Sequence, residues 1–119
     1  MKRLWGMAAL AALLTTAAPA RAEDTAESLR QPAIDWCKGS VGAEAPPKGA
    51  DATCACFIDG IITSFGDDAV RMLKVLVANL NASQVAEIAK LLDISEEEAK
   101  AFVAMANEKI DPIQETCMQ

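Results

Sequence analysis

Cys54-Ala-Cys-Phe-Ile-Asp-Gly-Ile-Ile-Thr-Ser-Phe-Gly66 is the stretch of sequence that decides the fold. It holds two of the four cysteines and two of the three phenylalanines of the chain. At 100° per residue, its large apolar side chains fall within a sector of about 140°, which is typical of an amphipathic helix: Phe57, Ile58, Ile61, Ile62 and Phe65. Thr53 is the expected N-cap of this helix, and Gly66 is its expected C-terminal stop.

The two cysteines of this stretch point in different directions, because residues two apart in a helix are separated by about 200°. Cys54 falls within the apolar sector, whereas Cys56 projects to nearly the opposite side. A bond between them would unwind the first turn, so two pairings remain. The preferred one is Cys37–Cys56 with Cys54–Cys117, because Cys54 faces the core on which the terminal helix must pack. The alternative is Cys37–Cys54 with Cys56–Cys117.

The first 22 residues have the features of a cleaved secretory signal peptide. Lys2 and Arg3 precede an uncharged apolar run from Leu4 to Ala18, and Ala20-Arg-Ala22 fits the small-x-small rule for cleavage. The run of about 15 residues is shorter than the roughly 20 that span a membrane. We expect cleavage after Ala22, a periplasmic location, and no stable membrane anchor afterwards.

Charge and size limit the functions of the chain after cleavage. Cleavage after Ala22 would remove three basic and no acidic residues, which takes the net charge from −6 to −9. This acidity argues against nucleic acids and anionic lipids as partners, because both attract clustered Lys and Arg. Residues 23–119 are expected to form one domain, with a core so small that disulfides are the usual supplement.

The chain before the central helix is expected to be only partly helical. Pro32 is the expected first residue of a short helix that carries Ile34, Trp36 and Cys37, with Trp36 as a half-buried cap over the core. Glycines and prolines predict a loop over residues 38–53, which the cysteines at its ends tether. The domain therefore divides into an N-terminal helix with a tethered loop at 23–52 and a helical core at 53–119.

The helix after Gly66 has an unusually wide apolar belt. Asp67 or Asp68 can cap it, and it should run to about Asn79 with this inward face: Ala69, Val70, Leu73, Leu76, Val77 and Leu80. Val75 falls outside that face beside Arg71, and Met72 lies at the border. Such a belt indicates either a central helix covered on two sides or a face that binds a partner. Met72, Val75 and Arg71 are therefore the candidate partner surface.

Two capping boxes introduce the last helices. Asn81-Ala-Ser-Gln84 precedes a helix with Val85, Ile88, Ala89 and Leu92 on one face. Ser95-Glu-Glu-Glu98 precedes a helix that buries Ala99, Phe102, Val103, Ala106 and Ile110. Asp111-Pro112 should start a final short turn that ends at Cys117. The predicted fold class is all-α, a small bundle of four to five short helices stapled by disulfides.

Residue types suited to catalysis are sparse in this sequence. It contains no histidine, the usual base at neutral pH and the commonest metal ligand, and no tyrosine. The acidic run Glu96–Glu98 suits the first turn of a helix better than an acid/base pair. Cys54 and Cys56 could exchange disulfides or bind a metal, but the other cysteines are well placed as their structural partners. We expect no catalytic site, metal or cofactor.

Part of the chain resembles a known family. The segment Cys54-x-x-Phe57-Ile58-x-Gly60-Ile61 is similar to the Cys-x-Gly-Tyr-Ile-x-Gly-Val segment of the periplasmic immunity proteins that neutralise cell-wall amidase effectors of type VI secretion. The helix start Leu80-x-Ala82-x-Gln84-Val85 and the closing Cys117 fall in a similar order, so the resemblance covers about residues 50–119. Cys56 stands where that family has a small residue, and the family's middle cysteine has no counterpart here. The resemblance implies a small helical binding protein without catalysis.

Three functions of different classes follow as hypotheses. The first is a non-catalytic periplasmic module that binds or inhibits another protein, as the acidic surface and the belt around Met72 and Val75 suggest. The second is a structural or stress-related protein of the cell envelope. The third is a thiol–disulfide or metal-binding protein that uses Cys54 and Cys56.

Overall fold

The computed structural model describes residues 24–42 and 46–119, and within these ranges the chain forms helices and short turns. The helices are α1 (Ala26–Val41), α2 (Ala50–Phe65), α3 (Ala69–Val77), α4 (Val85–Leu92) and α5 (Glu96–Cys117). A 3₁₀ turn, Gly66–Asp68, joins α2 to α3. The predicted all-α bundle stapled by disulfides is confirmed. The predicted signal peptide, residues 1–22, lies outside the described residues.

The helices enclose one core, with α3 at its centre. Helix α1 packs against α2 and α3, α2 also packs against α3 and α5, and α4 packs against α3 and α5. The largest apolar side chains that are fully buried are Ile58, Ile61, Leu73 and Ile88. Burial of a side chain of this size contributes about 1.5–3 kcal/mol. Within the described residues, no helix is both long and apolar enough to cross a membrane.

Helix α1 is longer than the sequence pattern predicts. It starts at Ala26 because Thr25 and Ser28 form a capping box, in which each side-chain oxygen accepts the other residue's backbone N–H. The helix passes through Pro32, whose missing N–H removes one intrahelical bond. The expectation that Pro32 begins the helix was wrong, and so was the loop from residue 38, since α1 runs to Val41.

Helix α2 begins earlier than predicted. Its N-cap is Gly49, at a φ of 98°, and not Thr53. The chain turns just before Ala50, where the Gly49 N–H donates to the Pro46 carbonyl. The helix begins directly after this turn, at Ala50, because alanine is the best helix former. Thr53 therefore lies inside the first turn and is buried. Gly66 ends the helix with a positive φ of 56°, as the sequence predicts.

Helices α1 and α2 form an antiparallel hairpin. Arg30 pairs with Asp59, Cys37 is bonded to Cys54, and Lys38 pairs with Asp51. A step towards the end of α1 is thus matched by a step towards the start of α2. The hairpin places Cys37, one turn before the end of α1, opposite Cys54, one turn after the start of α2.

The disulfides are Cys37–Cys54 and Cys56–Cys117, which corrects the preferred prediction of Cys37–Cys56 with Cys54–Cys117. The preference assumed that the terminal helix covers the core-facing side of Cys54. Helix α1 covers that side instead, because it is long enough to run alongside α2. The end of α5 lies on the side to which Cys56 projects.

Helices α2 and α5 are also antiparallel, with one contact per helical turn. Cys56 is bonded to Cys117, Gly60 lies against Ile113, and the Ser64 carbonyl accepts a 3.0 Å hydrogen bond from Lys109. Each step of four residues along α2 is matched by four residues back along α5, as expected for two facing helices. Lys109 thereby caps the C-terminus of α2 and also lies over the ring of Phe65.

Helix α3 ends in a Schellman motif. Asn79, at a φ of 60°, occupies the left-handed position, the Leu80 N–H donates to the Val75 carbonyl, and the Asn79 N–H donates to the Leu76 carbonyl. The turn sends the chain back across α3 as α4 and α5. Met72 and Val75 are buried as a result, at 6% and 4% exposure, so the prediction that they form a partner surface was wrong. The alternative, a central helix covered on two sides, is what the structure has.

The two predicted capping boxes have different outcomes. The Ser95–Glu98 box is complete, with reciprocal hydrogen bonds of 3.0 Å. The hydrogen bond that the Ser95 backbone N–H donates to the Glu98 carboxylate lowers the pKa of that carboxyl. In the Asn81–Gln84 box, the Gln84 side chain accepts the Asn81 backbone N–H, as predicted. The Asn81 side chain, however, accepts the backbone N–H of Ser83 and not that of Gln84, and α4 begins only at Val85. The separate turn predicted from Pro112 was wrong, since α5 continues through Pro112 to Cys117.

Pairwise removal of cysteines tests the disulfide pairing. Only Ala55 separates Cys54 from Cys56, so ordinary proteolysis leaves both on one peptide and cannot distinguish the pairings. A chain with Cys37→Ala and Cys54→Ala should keep the Cys56–Cys117 bridge, show no titratable thiol and unfold cooperatively. A chain with Cys37→Ala and Cys56→Ala keeps one cysteine of each bridge and should show two titratable thiols. Thiol-free protein from the second chain would contradict the pairing.

The close approach of α2 and α5 makes Gly60 sensitive to substitution. A Cβ at this position would lie 2.7 Å from Cγ2 of Ile113, so Gly60→Ala should lower the free energy of unfolding by about 1–3 kcal/mol in denaturant titration. Adding Ile113→Leu removes that methyl group and should restore part of the loss. Gly39→Ala is the control, because nothing lies within 4 Å of its Cβ, and it should add about 0.5–1 kcal/mol. Equal gains at both glycines would contradict the close approach.

Candidate binding recess

A recess with a volume of about 130 Å³ lies where the end of α1, the start of α2 and the end of α5 meet. Its walls are formed by Trp36, Cys37, Ser40, Val41, Thr53, Phe57, Gln114, Cys117 and Met118, and we call it the Trp36 recess. A buried cavity of about 150 Å³ is large enough to hold benzene. The Trp36 recess is therefore of the size of one side chain, well below the roughly 300–1,000 Å³ of sites for drug-sized ligands.

Trp36 is held in place by a hydrogen bond that it donates to a residue just after the end of α3. Its Nε1–H donates to Oδ1 of Asn79 at 3.1 Å, and Asn79 is the left-handed residue that ends α3. Trp36 is partly buried and packs against the core, which confirms its prediction as a half-buried cap. The same indole also forms one wall of the recess, a role that the sequence pattern did not indicate.

Thr53 is the one buried polar residue of the core described here, with 2% exposure. Its backbone N–H donates to the Gly49 carbonyl at 3.1 Å, but its Oγ1 has no hydrogen-bond partner among the described residues. A buried hydroxyl without a partner costs about 1–3 kcal/mol. Sequence reasoning made Thr53 an N-cap, where the hydroxyl would bond backbone N–H groups. The signal for the earlier helix start was Gly49 followed by Ala50-Asp-Ala52.

The disulfides hold the recess together. Cys37 and Cys117, one from each bridge, are part of its wall, so both bridges fix the helix ends around it. Met118 lies at the opening with 46% of its surface exposed. The nine wall residues offer hydroxyl and amide groups on an otherwise apolar surface, and their cysteines are bonded and do not titrate. This chemistry suits an apolar group that carries one hydrogen-bonding atom.

The candidate residues Cys54, Cys56 and Arg71 do not line the Trp36 recess. Cys54 and Cys56 are both in disulfides, and the part of the chain that the structure describes has no free cysteine. The thiols required by the thiol-exchange and metal hypotheses are therefore occupied. In the same part, no three His, Cys, Asp or Glu side chains are grouped so that they could hold a metal ion. Arg71 is exposed and lies 3.7 Å from a carboxylate oxygen of Asp68.

Two further surface features lie outside the recess. A wide, open groove between α2 and α5 is lined by residues that include Asp59, Thr63 and Thr116. An apolar patch between α3 and α4 exposes Val77 and Leu91 at 39% and 38%. Val77 had been predicted to face inward. Neither feature contains an unpartnered buried polar group among the described residues, and in this they differ from the Trp36 recess.

The chain was compared with protein-family models, with curated proteins and with solved structures, and none of them matches it. The resemblance to the periplasmic amidase-immunity proteins is neither supported nor contradicted by this result, and it stays a hypothesis.

An ion pair between Arg30 and Asp59 lies beside the groove between α2 and α5. Arg30 binds the Asp59 carboxylate with two nitrogens, at 2.7 and 2.9 Å, and joins α1 to α2. The hydrogen bond from Arg30 lowers the pKa of Asp59, and partial burial opposes this effect. Because 40% and 52% of the two side chains are exposed, water screens the pair and its contribution to stability is small.

The Arg30–Asp59 pair should make the free energy of unfolding depend on pH in the acidic range. The pKa of Asp59 is lowered in the folded state. The contribution of the pair to the free energy of unfolding is therefore fully present above pH 3.8, the ordinary aspartate value, and is lost as the pH falls below 3.8. The free energy of unfolding should therefore fall more steeply in acid for the wild type than for Asp59→Asn. Asp67→Asn, for which no such bond exists among the described residues, is the control. Parallel curves for the wild type and Asp59→Asn would contradict the effect.

Proposed function

We propose that this chain is a small, non-catalytic helical protein of the periplasm that binds another protein, as an inhibitor or immunity-like module does. The observation that supports this proposal best is the Trp36 recess. A recess of one side chain's size, with a tryptophan wall and an exposed methionine at its opening, has the features of a pocket for a partner's anchor residue.

The composition of the recess favours a protein over a small metabolite as the ligand. Binding hot spots are pockets that desolvate one large side chain, surrounded by contacts that exclude water. The Trp36 indole is already held by Asn79, so binding requires little ordering of that ring. Met118, which has three rotatable side-chain bonds, can adjust to the partner's surface.

Charge and compartment agree with this proposal. The net charge of −6, and of −9 after the proposed cleavage at Ala22, favours a partner whose surface is basic. Two disulfides are typical of proteins that fold in an oxidising compartment. We place that compartment in the periplasm because of the signal-like residues 1–22, and the resemblance to periplasmic immunity proteins points the same way.

Site-specific cross-linking in cells that export the chain tests the proposal. Benzoylphenylalanine in place of Gln114, at the wall of the recess, should give a discrete adduct with one protein on illumination. The same residue in place of Ala104, which is exposed on the same helix outside the recess, is the positional control. Position 104 should give no such adduct.

Filling the recess should remove the adduct without unfolding the protein. In the chain labelled at position 114, Ser40→Phe introduces a ring at the exposed edge of the recess and should abolish cross-linking. Ala104→Phe adds the same ring elsewhere and should leave the adduct intact. Thermal melts of both variants show whether the fold is kept. Equal adducts at positions 114 and 104, or an adduct that survives Ser40→Phe, would contradict the proposal.

A further inference from the structure

We infer that the disulfide between Cys56 and Cys117, which we call the latch bridge, is a redox-sensitive latch on the end of α5. A dithiol reductant opens the latch bridge in the folded protein before it opens Cys37–Cys54. Opening it releases the end of α5 from α2 and removes part of the wall of the Trp36 recess. The selective reduction does not depend on the proposed function, whereas its effect on partner binding rests on that function.

The two bridges differ in how far a reductant can reach them. Cys37 and Cys54 are both buried, with exposures of 4% and 0%. Cys56 is the one cysteine of the chain that is partly exposed, although its partner Cys117 is buried. Both residues of the latch bridge line the open groove between α2 and α5, which has a volume of about 580 Å³. A thiolate must contact a disulfide sulfur to attack it, so access favours the latch bridge.

The Trp36 recess gives only a narrow approach to the other bridge. Cys37 is part of its wall, but the recess has room for no more than one side chain. Cys54 is fully buried in the core, and ion pairs join α1 to α2 on either side of the Cys37–Cys54 bridge. Reduction of this bridge is therefore expected to require separation of α1 from α2, which the latch bridge does not require.

The reductant is a dithiol because two electrons must reach the bridge. One thiolate of the reductant attacks Sγ of Cys56, the S–S bond breaks, and Cys117 leaves as a thiolate that takes a proton. The second thiol of the reductant loses its proton and displaces Cys56 from the mixed disulfide, and Cys56 takes a proton. The bridge ends as two thiols and the reductant as a disulfide. Proteins with a reactive Cys-x-x-Cys pair carry out this chemistry.

The end of α5 can move once the latch bridge is open. Pro112 lies inside the helix and has no N–H, so one intrahelical hydrogen bond is missing at this point. Of the contacts between α5 and α2 described above, the latch bridge and the packing of Ile113 on Gly60 lie beyond Pro112. Reduction leaves only the second of these two. The same segment provides three wall residues of the recess, so its release opens the recess.

Timed reduction of the full disulfide-bonded chain tests the selectivity. Dithiothreitol is added without denaturant, and the free thiols are blocked with iodoacetamide. The remaining bridges are then reduced and labelled with N-ethylmaleimide, and fragment-ion mass spectrometry tells Cys54 from Cys56 on their shared peptide. A species with exactly two iodoacetamide labels, on Cys56 and Cys117, should accumulate first. Simultaneous labelling of all four cysteines, or labelling of Cys37 and Cys54 first, would overturn the inference.

Urea distinguishes attack on the folded protein from attack after unfolding. The rate of the first reduction step should not change at urea concentrations below the unfolding transition, because the groove already exposes the latch bridge. A rate that rises with urea as steeply as the unfolding constant does would place the reduction in the unfolded chain. That result would overturn the latch.

Hydrogen exchange measures the release of the end of α5. Cys56→Ser with Cys117→Ser represents the reduced state without bulky labels. Amides of residues 113–117 should exchange about tenfold faster or more than in the oxidised wild type, while those of residues 33–37 in α1 should change little. Unchanged exchange at 113–117 would overturn the release, and equal acceleration in both segments would replace it with a general loosening of the fold.

The cross-linking experiment separates the latch from the proposed function. In the chain labelled at position 114, Cys56→Ser with Cys117→Ser should remove the adduct. An adduct that survives these substitutions would overturn the effect of the latch on binding. If the oxidised wild-type chain gives no adduct at all, the proposed function is wrong, and the labelling and exchange experiments still decide whether the latch exists.

Discussion

The two-residue spacing of Cys54 and Cys56 is the constraint on which the rest of the structure depends. In a helix this spacing sends the two sulfur atoms to nearly opposite sides, so α2 is bonded to α1 on one side and to α5 on the other. Each bond lies in an antiparallel helix pair, and other contacts repeat along both pairs. A chain of this size buries a small core, and these two bonds fix α1, α2 and α5 around it.

The Trp36 recess is a result of this arrangement. Three helix ends meet where the two bridges hold them, and helix ends do not fill space as closely as two facing helices do. Thr53, in the first turn of α2, is also part of this wall, and its Oγ1 has no hydrogen-bond partner among the described residues. The bridges that hold the fold therefore also position the wall of the proposed site.

Much of the fold could be predicted from the sequence because local patterns determine it. The inward face of α3 around Leu73, the capping box at Ser95 and the stop at Gly66 depend on residues near one another in the chain. The recess could not be predicted, and neither could the disulfide pairing or the burial of Val75. These depend on which helix covers which side of α2 and α3, and periodicity within one helix contains no information about its neighbours. The early starts of α1 and α2 were missed for a different reason, because both depend on local signals that were not recognised. The start of α1 depends on the Thr25–Ser28 capping box, and the start of α2 depends on the Gly49 turn.

The sequence separation of the Cys56–Cys117 bridge affects the order in which the molecule is made. Synthesis proceeds from the N-terminus, so Cys37, Cys54 and Cys56 all exist before Cys117, which follows Cys56 by 61 residues. During that interval Cys37 has two candidate partners, Cys54 and Cys56, which are separated by a single alanine. If Cys56 reacts first, Cys54 is left with a free thiol at a position that is fully buried in the native core. Oxidative maturation of this chain therefore depends on the α1–α2 hairpin forming early enough to select the correct sulfur.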